Sequence, residues 1–375
     1  VSRADESVFA RWWWSIDRAS MAIMAMIVLI GLLVLTAAGP SAAARLRIPE
    51  EFHFPLRQLF FIGPALLGMI AVSFLSPLQA RRLGVFVFIA AALLMALALA
   101  VAGDVNGAKR WLDLGPMTLQ PSEFAKPGFV VAAAWLLAEG ARDARFPGGL
   151  LAMGLYLLFS ALLLLQPDFG QWALMTAVWA AMFFIAGWSW MWMAFLAVLG
   201  AGALTAGYVL SAHVAARIDS FLQPSGAASY QVDKALETIA NGGLIGRGNA
   251  PPVKESLPDA HTDFIFAVAA EEFGFVLGAV IIALFAVYVV RSLSLAASLK
   301  SLFAQCAVSG LAALIGFQAI INIGVSLRAL PAKGMTLPFV SYGGSSLIAT
   351  GLAVGVIMAL TRRQPSALRR KDIMP

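Results

Sequence analysis

Apolar positions in this chain fall in long unbroken runs, without the period-two alternation of half-buried strands or the one-sided stripe of a soluble helix. Ten such runs read as helices, at about 19–38, 57–76, 83–102, 122–138, 149–165, 171–187, 191–212, 264–290, 302–324 and 345–361. Each approaches the ~20 apolar residues that cross a hydrocarbon core of about 30 Å. The pattern therefore predicts an all-α integral membrane protein, a polytopic bundle of ten transmembrane helices. The first run follows Trp12, Trp13 and Trp14 and precedes the small-residue stretch AAGPSAAA, which looks like a signal-peptide cleavage site. Its length exceeds the roughly 7–15-residue core of a signal peptide, so it is read as a retained span.

Composition sharpens this. Of 375 residues, 61% are hydrophobic and 12% charged, against about 25% charged in a soluble domain, and the mean hydropathy is +0.85. A soluble enzyme is excluded. The net charge of +6 would raise nucleic acid as a partner in a soluble chain. Here Arg362, Arg363, Arg369, Arg370 and Lys371 directly follow the last run, the signature of a cytoplasmic tail facing anionic lipid. Ten spans then place both termini in the cytoplasm. Lys and Arg divide 14 inside to 12 outside and the acids 6 to 14, so most carboxylates lie outside. Residues 1–375 form one membrane domain: an N-terminal segment 1–18, the bundle 19–361 and the tail 362–375. Cys306 is the sole cysteine, and His53, His213 and His261 lack metal-ligand spacing.

The long connections, 39–56, 103–121, 213–263 and 325–344, all fall outside, where binding chemistry usually sits. Within 213–263, VDKALETIANGG carries Val232, Leu236 and Ile239 at helical spacing, predicting a short amphipathic helix on the membrane surface. NGGLIGRGN matches no phosphate-loop pattern and reads as a turn. No Asp-x-Asp is present, which disfavours a nucleotide-sugar donor. Gly351 and Gly355 permit close helix packing, and Trp188, Trp190 and Trp192 read as an interfacial belt.

Three segments carry chemistry. In NGAKRWLDLGPMTLQPSEFAKP, Glu123 and Lys126 stand at i,i+3 near a span end, followed by Pro127, which removes a helical N–H. An ordinary interfacial pair with Lys126 snorkelling would also fit. In LPDAHTDFIFAVAAEEFGF, Thr262 as N-cap and Asp263 in the first turn account for one acid, not for Asp259, Asp263, Glu271, Glu272 and His261 together at a span mouth. Such a carboxylate cluster can hold a poised base. In INIGVSLRALPAKGMTLPFVSYGGSS, Arg328 and Lys333 sit in a Pro- and Gly-punctuated loop suited to a phosphate.

NGAKRWL with QPSEFAK, then LLLQPDFG, LPDAHTDFIFAVAAEEFG and LPAKGMTLPFVSYGGSS occur in that order. Together they resemble the SEDS (shape, elongation, division and sporulation) family of FtsW and RodA over residues 10–362. GAKRW and the short RGNAPPVKESLPDAHTD stretch resemble the family's division branch more than its elongation branch, although 247–256 departs from the commoner loop. The resemblance implies a peptidoglycan glycosyltransferase that polymerises lipid II at the division septum of a bacterial inner membrane. It implies Asp263 as the catalytic acid residue and Glu123 with Lys126 as an essential charged pair. Arg57 and Lys333 are then basic positions for pyrophosphate, and Lys109, Arg110, Trp111, Asp168, His261 and Ser341 of the shared motifs bind substrate. The implied partners are lipid II, a single-span class B penicillin-binding protein, other division proteins and membrane lipids, with no nucleic acid. No cofactor is implied, and a divalent metal, Mg or Mn, stays open. The competing readings are a lipid II flippase and a noncatalytic division scaffold.

Overall fold

The computed structural model describes residues 7–103, 108–113, 115, 118–187, 190–210, 215, 219, 227–331 and 334–362. Its helices are α1 (Val8–Ser15), α2 (Arg18–Arg45), α3 (His53–Ser73), α4 (Pro77–Val101), α5 (Pro121–Arg142) and α6 (Gly148–Leu165). They continue as α7 (Phe169–Ile185), α8 (Trp190–Leu210), α9 (Ala227–Gly242), α10 (Ile265–Ala297), α11 (Leu302–Ser326) and α12 (Gly344–Thr361). A two-stranded antiparallel hairpin, β1 (Leu112–Asp113) with β2 (Thr118–Leu119), lies before α5. The chain is an all-α multi-pass membrane protein. Among the described residues, eight helices are long and apolar enough to cross a membrane, and two shorter apolar helical stretches lie at Phe169–Ile185 and Ala197–Leu210.

Boundaries follow local chemistry. Asp17 caps α2, its carboxylate accepting from the Ser20 N–H at 3.0 Å. Ser76 and Gln79 form a capping box at α4, with Pro77 in the first turn, where its missing N–H costs nothing. These polar caps start α2 and α4 earlier than the apolar runs alone indicate. The unexpected α1 is tied on by Trp12, whose Nε1 donates to Ser73 Oγ at 2.8 Å.

Helices α5, α11 and α12 form the centre: 67%, 78% and 83% of their apolar windows are buried, against 28–39% for α2, α3, α4, α6 and α10. Small residues permit the contacts, as the glycine spacing predicts. Cβ atoms at Gly351 and Gly355 would lie 2.6 and 2.7 Å from the carbonyls of Ala65 and Met69 on α3.

The amphipathic helix expected after α8 is α9, which packs on α10 with Val232, Ala235 and Thr238 buried. The expected start of α10 is corrected: it does not run straight from a Thr262 cap. Its N-cap is Phe264, and Thr262 and Asp263 belong to the preceding turn. At Gly274 (φ 78°) α10 breaks, and the NGGLIGRGN turn fills the gap: Phe275 N–H donates to Gly243 O at 2.9 Å and Val276 N–H to Leu244 O at 3.2 Å. The backbone groups freed by the break are thus satisfied inside the protein, as a non-aqueous setting requires.

Candidate functional site

The long connections of α2–α3, α4–α5, α9–α10 and α11–α12 converge at one end of the bundle, here the loop end. Helix α5 starts with Pro121, which places Glu123 in its first turn and Lys126 one turn on. Both are buried, 4% and 2% exposed, so a snorkelling surface pair is ruled out. Lys126 Nζ donates to Glu123 Oε1 (2.9 Å), Gln171 Oε1 (3.0 Å) and Gln318 Oε1 (3.3 Å). Gln171 Nε2 in turn donates to Glu123 Oε1 at 3.0 Å. All three N–H donors of the ammonium are therefore spent, and α5, α7 and α11 are joined at one charge. Helix α5 continues through Pro127 as one element.

Asp168 caps α7, accepting from Gln171 N–H at 3.4 Å, and lies 3.6 Å from Arg110. Burial pushes its carboxyl pKa up, with Arg110 opposing. Arg110 also donates to the carbonyls of Gln166 (2.8 Å) and Pro167 (2.6 Å), fixing the α4–α5 connection over the α6–α7 turn. Lys109 and Trp111 on either side are exposed.

Asp263 is half-buried in the turn before α10. A side chain at position 334 would begin 3.2 Å from Asp263 Oδ2, so the glycine of the PAKG loop leaves room beside the carboxylate. Asn322 Nδ2 holds the two loops together, donating to Asp263 O (2.9 Å) and Met335 O (2.6 Å). One turn earlier, Gln318 Nε2 donates to Thr336 O at 3.0 Å while its Oε1 accepts from Lys126. A polar edge of α11 thus couples the Asp263 turn to the Lys126 cluster.

Ser341 is buried and structural in its contacts: its hydroxyl donates to Thr262 O (2.6 Å) and accepts from Leu337 N–H (2.7 Å). Gln58 Nε2 on α3 donates to Ser341 O at 3.1 Å. His261, expected to bind substrate, is buried with its ring 4.2 Å from Phe54. Burial pulls its pKa down to about 4, with Asp259 opposing, so the imidazole is neutral. The expected four-carboxylate cluster is also corrected. Glu271 accepts from Asn241 Nδ2 (2.7 Å), Val253 N–H (2.6 Å) and Lys254 N–H (3.0 Å), and Glu272 pairs with Arg247 (2.8 Å) and Lys254 (2.7 Å). Both anchor the 247–256 segment.

Arg57 is exposed near the start of α3 at the loop end. Arg328 pairs with Asp233 of α9 at 2.9 Å. Lys333, Trp188, the Trp190 and Trp192 side chains and the tail beyond Arg362 lie outside the described residues. Among the described residues, no three His, Cys, Asp or Glu side chains come together to hold a metal. Gln171, Gln318 and Asn322 are the site residues that motif reading missed. Their signal was present, as isolated amides inside apolar runs where polar groups are costly.

A half-buried carboxylate and a buried, fully bonded ammonium, clamped by amides at one end of a helical bundle, define a multi-pass membrane protein with a polar site at its loop end. Residues 17–365 match the family described as cell cycle protein, that of FtsW, RodA and SpoVE, and the chain belongs to this family. It is 43% identical over 367 residues, covering 98% of this chain and 94% of the relative, to the probable peptidoglycan glycosyltransferase FtsW of Caulobacter vibrioides. The Saccharophagus degradans protein of the same name is 34% identical over 370 residues, 95% and 94% of the two chains. The structure of this chain is similar to a chain of a peptidoglycan synthase complex that coordinates polymerization and crosslinking (TM-score 0.77, 33% identity, 92% and 97% covered). It is also similar to the Thermus thermophilus rod shape determining protein RodA (TM-score 0.70, 32% identity, 93% and 97% covered).

Proposed function

We propose that this protein is a peptidoglycan glycosyltransferase that polymerises lipid II during septal wall synthesis, beside a class B penicillin-binding protein and other division proteins. The names of its relatives support the reaction class, and the similar synthase complex supports a crosslinking partner. In this reading the loop end faces outward and both termini are cytoplasmic.

The observation that carries the mechanism is the Asp263 carboxylate, set beside the gap at Gly334 with its own backbone held by Asn322. Asp263 takes the proton of the acceptor sugar hydroxyl as its oxygen attacks the donor's anomeric carbon. The bond to undecaprenyl pyrophosphate breaks with its electron pair on the phosphate oxygen. Arg57 and Lys333 offset that charge, while Lys109 and Trp111 are exposed and able to meet the glycan. Lys126 acts by holding α5, α7 and α11 in place, since its donors are spent within the protein. A divalent ion, Mg or Mn, would meet no cluster of three His, Cys, Asp or Glu side chains among the described residues, and would supply charge neutralisation only alongside the diphosphate of the substrate.

The test is polymerisation of labelled lipid II by purified protein, with and without the partner transpeptidase. Asp263→Asn is expected to lower the rate about 10²-fold or more with folding intact. A folded variant that makes glycan chains at close to the parental rate would remove Asp263 from the reaction. Lipid II crossing liposome bilayers without polymerisation would favour the flippase reading.

A further inference from the structure

The end of the bundle opposite the site holds a cavity of about 500 Å³. Three segments form it: the α1–α2 corner with Trp14, Asp17 and Arg18; the last turns of α10 with Arg291 and Ser298; and Arg362 just after α12. Three guanidiniums face one carboxylate. Arg291 consumes that carboxylate, its Nε and Nη2 reaching Asp17 Oδ2 at 2.6 Å and Oδ1 at 2.5 Å. Arg18 lies over the Trp14 ring at 4.8 Å and, among the described residues, has no acidic partner. Among the described residues, Arg362 reaches only the carbonyls of Phe74 (3.2 Å) and Leu75 (3.1 Å), dipoles that cancel part of its charge at most.

Among the described residues, two permanently charged groups without a carboxylate partner therefore line one hollow. The placement of Arg362 at a helix C-terminus is electrostatically ordinary. That of Arg18 is not, because it opens α2, the positive end of the helix dipole, where a cation has the wrong sign. The missing element is an anion. The flanking Trp14 and the apolar Leu295 and Leu299 suit an amphipathic ligand at a membrane interface better than a free ion.

We propose that this cavity binds the phosphate of an anionic phospholipid, with Arg18 and Arg362 as the two charge-assisted donors and acyl chains passing out between α10 and the α1–α2 corner. Basic pockets between spans are the recurrent way that bundles hold such headgroups. The ligand locks α1, α10 and α12 together at the end remote from the loop-end site.

The test uses the full chain in detergent, titrated with dioleoylphosphatidylglycerol, dioleoylphosphatidylcholine or inorganic phosphate and followed by native mass spectrometry and thermal denaturation. Phosphatidylglycerol is expected to bind and raise the melting midpoint, and phosphatidylcholine to do so far less. Arg18→Gln with Arg362→Gln should weaken phosphatidylglycerol binding about tenfold or more, the scale of losing charge-assisted hydrogen bonds. Arg18→Lys with Arg362→Lys, which keeps the charge but loses the fork, should fall between and serves if the Gln pair fails to fold. Equal binding of the two lipids, equal binding by wild type and the variants, or an equal response to inorganic phosphate would each overturn the proposal.

Discussion

Two Lys–Glu pairs in this protein share the same i,i+3 spacing and differ in nearly everything else. Glu123 and Lys126 on α5 are 2.9 Å apart and sealed between α7 and α11. Lys234 and Glu237 on α9 are 2.6 Å apart, with the glutamate half exposed. The shorter contact is the weaker one, because water screens it and ordering two long side chains costs entropy. In the buried pair every donor of the ammonium is matched by an acceptor, and no solvent can replace a lost partner. Spacing makes a pair available, but burial and the count of satisfied donors decide what it does.

Lys126→Met breaks the buried arrangement most severely. It strands the Glu123 carboxylate, and a loss of about 3–5 kcal/mol in stability together with activity is expected, read by thermal denaturation and glycan synthesis. Adding Glu123→Gln should recover part of the stability but not the activity. A double variant no more stable than Lys126→Met would mean that the pair is not coupled.

His261 extends the comparison to pH. Its pKa is about 6.5 unfolded and about 4 folded, so between these values the unfolded state binds more protons. The stabilisation is present above pH 6.5 and lost as pH falls toward 4. From pH 7 to pH 5 the loss is about 2 kcal/mol, and His261→Phe should flatten that slope. An unchanged pH profile in the variant would show that the ring does not need to stay neutral.

Asn322→Ala cuts the tie between the Asp263 turn and Met335. Turnover should fall about tenfold with little change in substrate KM, since a misplaced base impairs the reacting geometry rather than binding. A large KM change with kcat intact would assign Asn322 to substrate binding. At the small end, Lys234→Ala should leave the melting midpoint within about 1 °C of wild type; a larger shift would break the contrast.

How much of the site was legible follows the same line. Glu123, Lys126 and Asp263 stand out because charge in or beside an apolar run is costly and needs a reason. Gln171, Gln318 and Asn322 carry no charge and lie on runs whose pattern indicates spanning alone, and their convergence follows only from the packing of α5, α7 and α11. Glu271 and Glu272 erred in the opposite direction: proximity in sequence to Asp263 suggested a shared site, yet their carboxylates are taken up by Asn241, Arg247 and the 253–254 segment.

Hydrophobicity along the chain determined that the fold is a bundle of apolar helices, with their order and approximate limits, because a segment of about 20 apolar residues has no better environment than lipid or other helices. Glycine spacing already marked α12 as a close-packing helix. Tertiary structure alone decided which helices became central, which of two identically spaced pairs was sealed from water, and which amides met the charges. Those outcomes depend on contacts between residues far apart in sequence, and among apolar runs of similar composition no local pattern specifies which faces will meet.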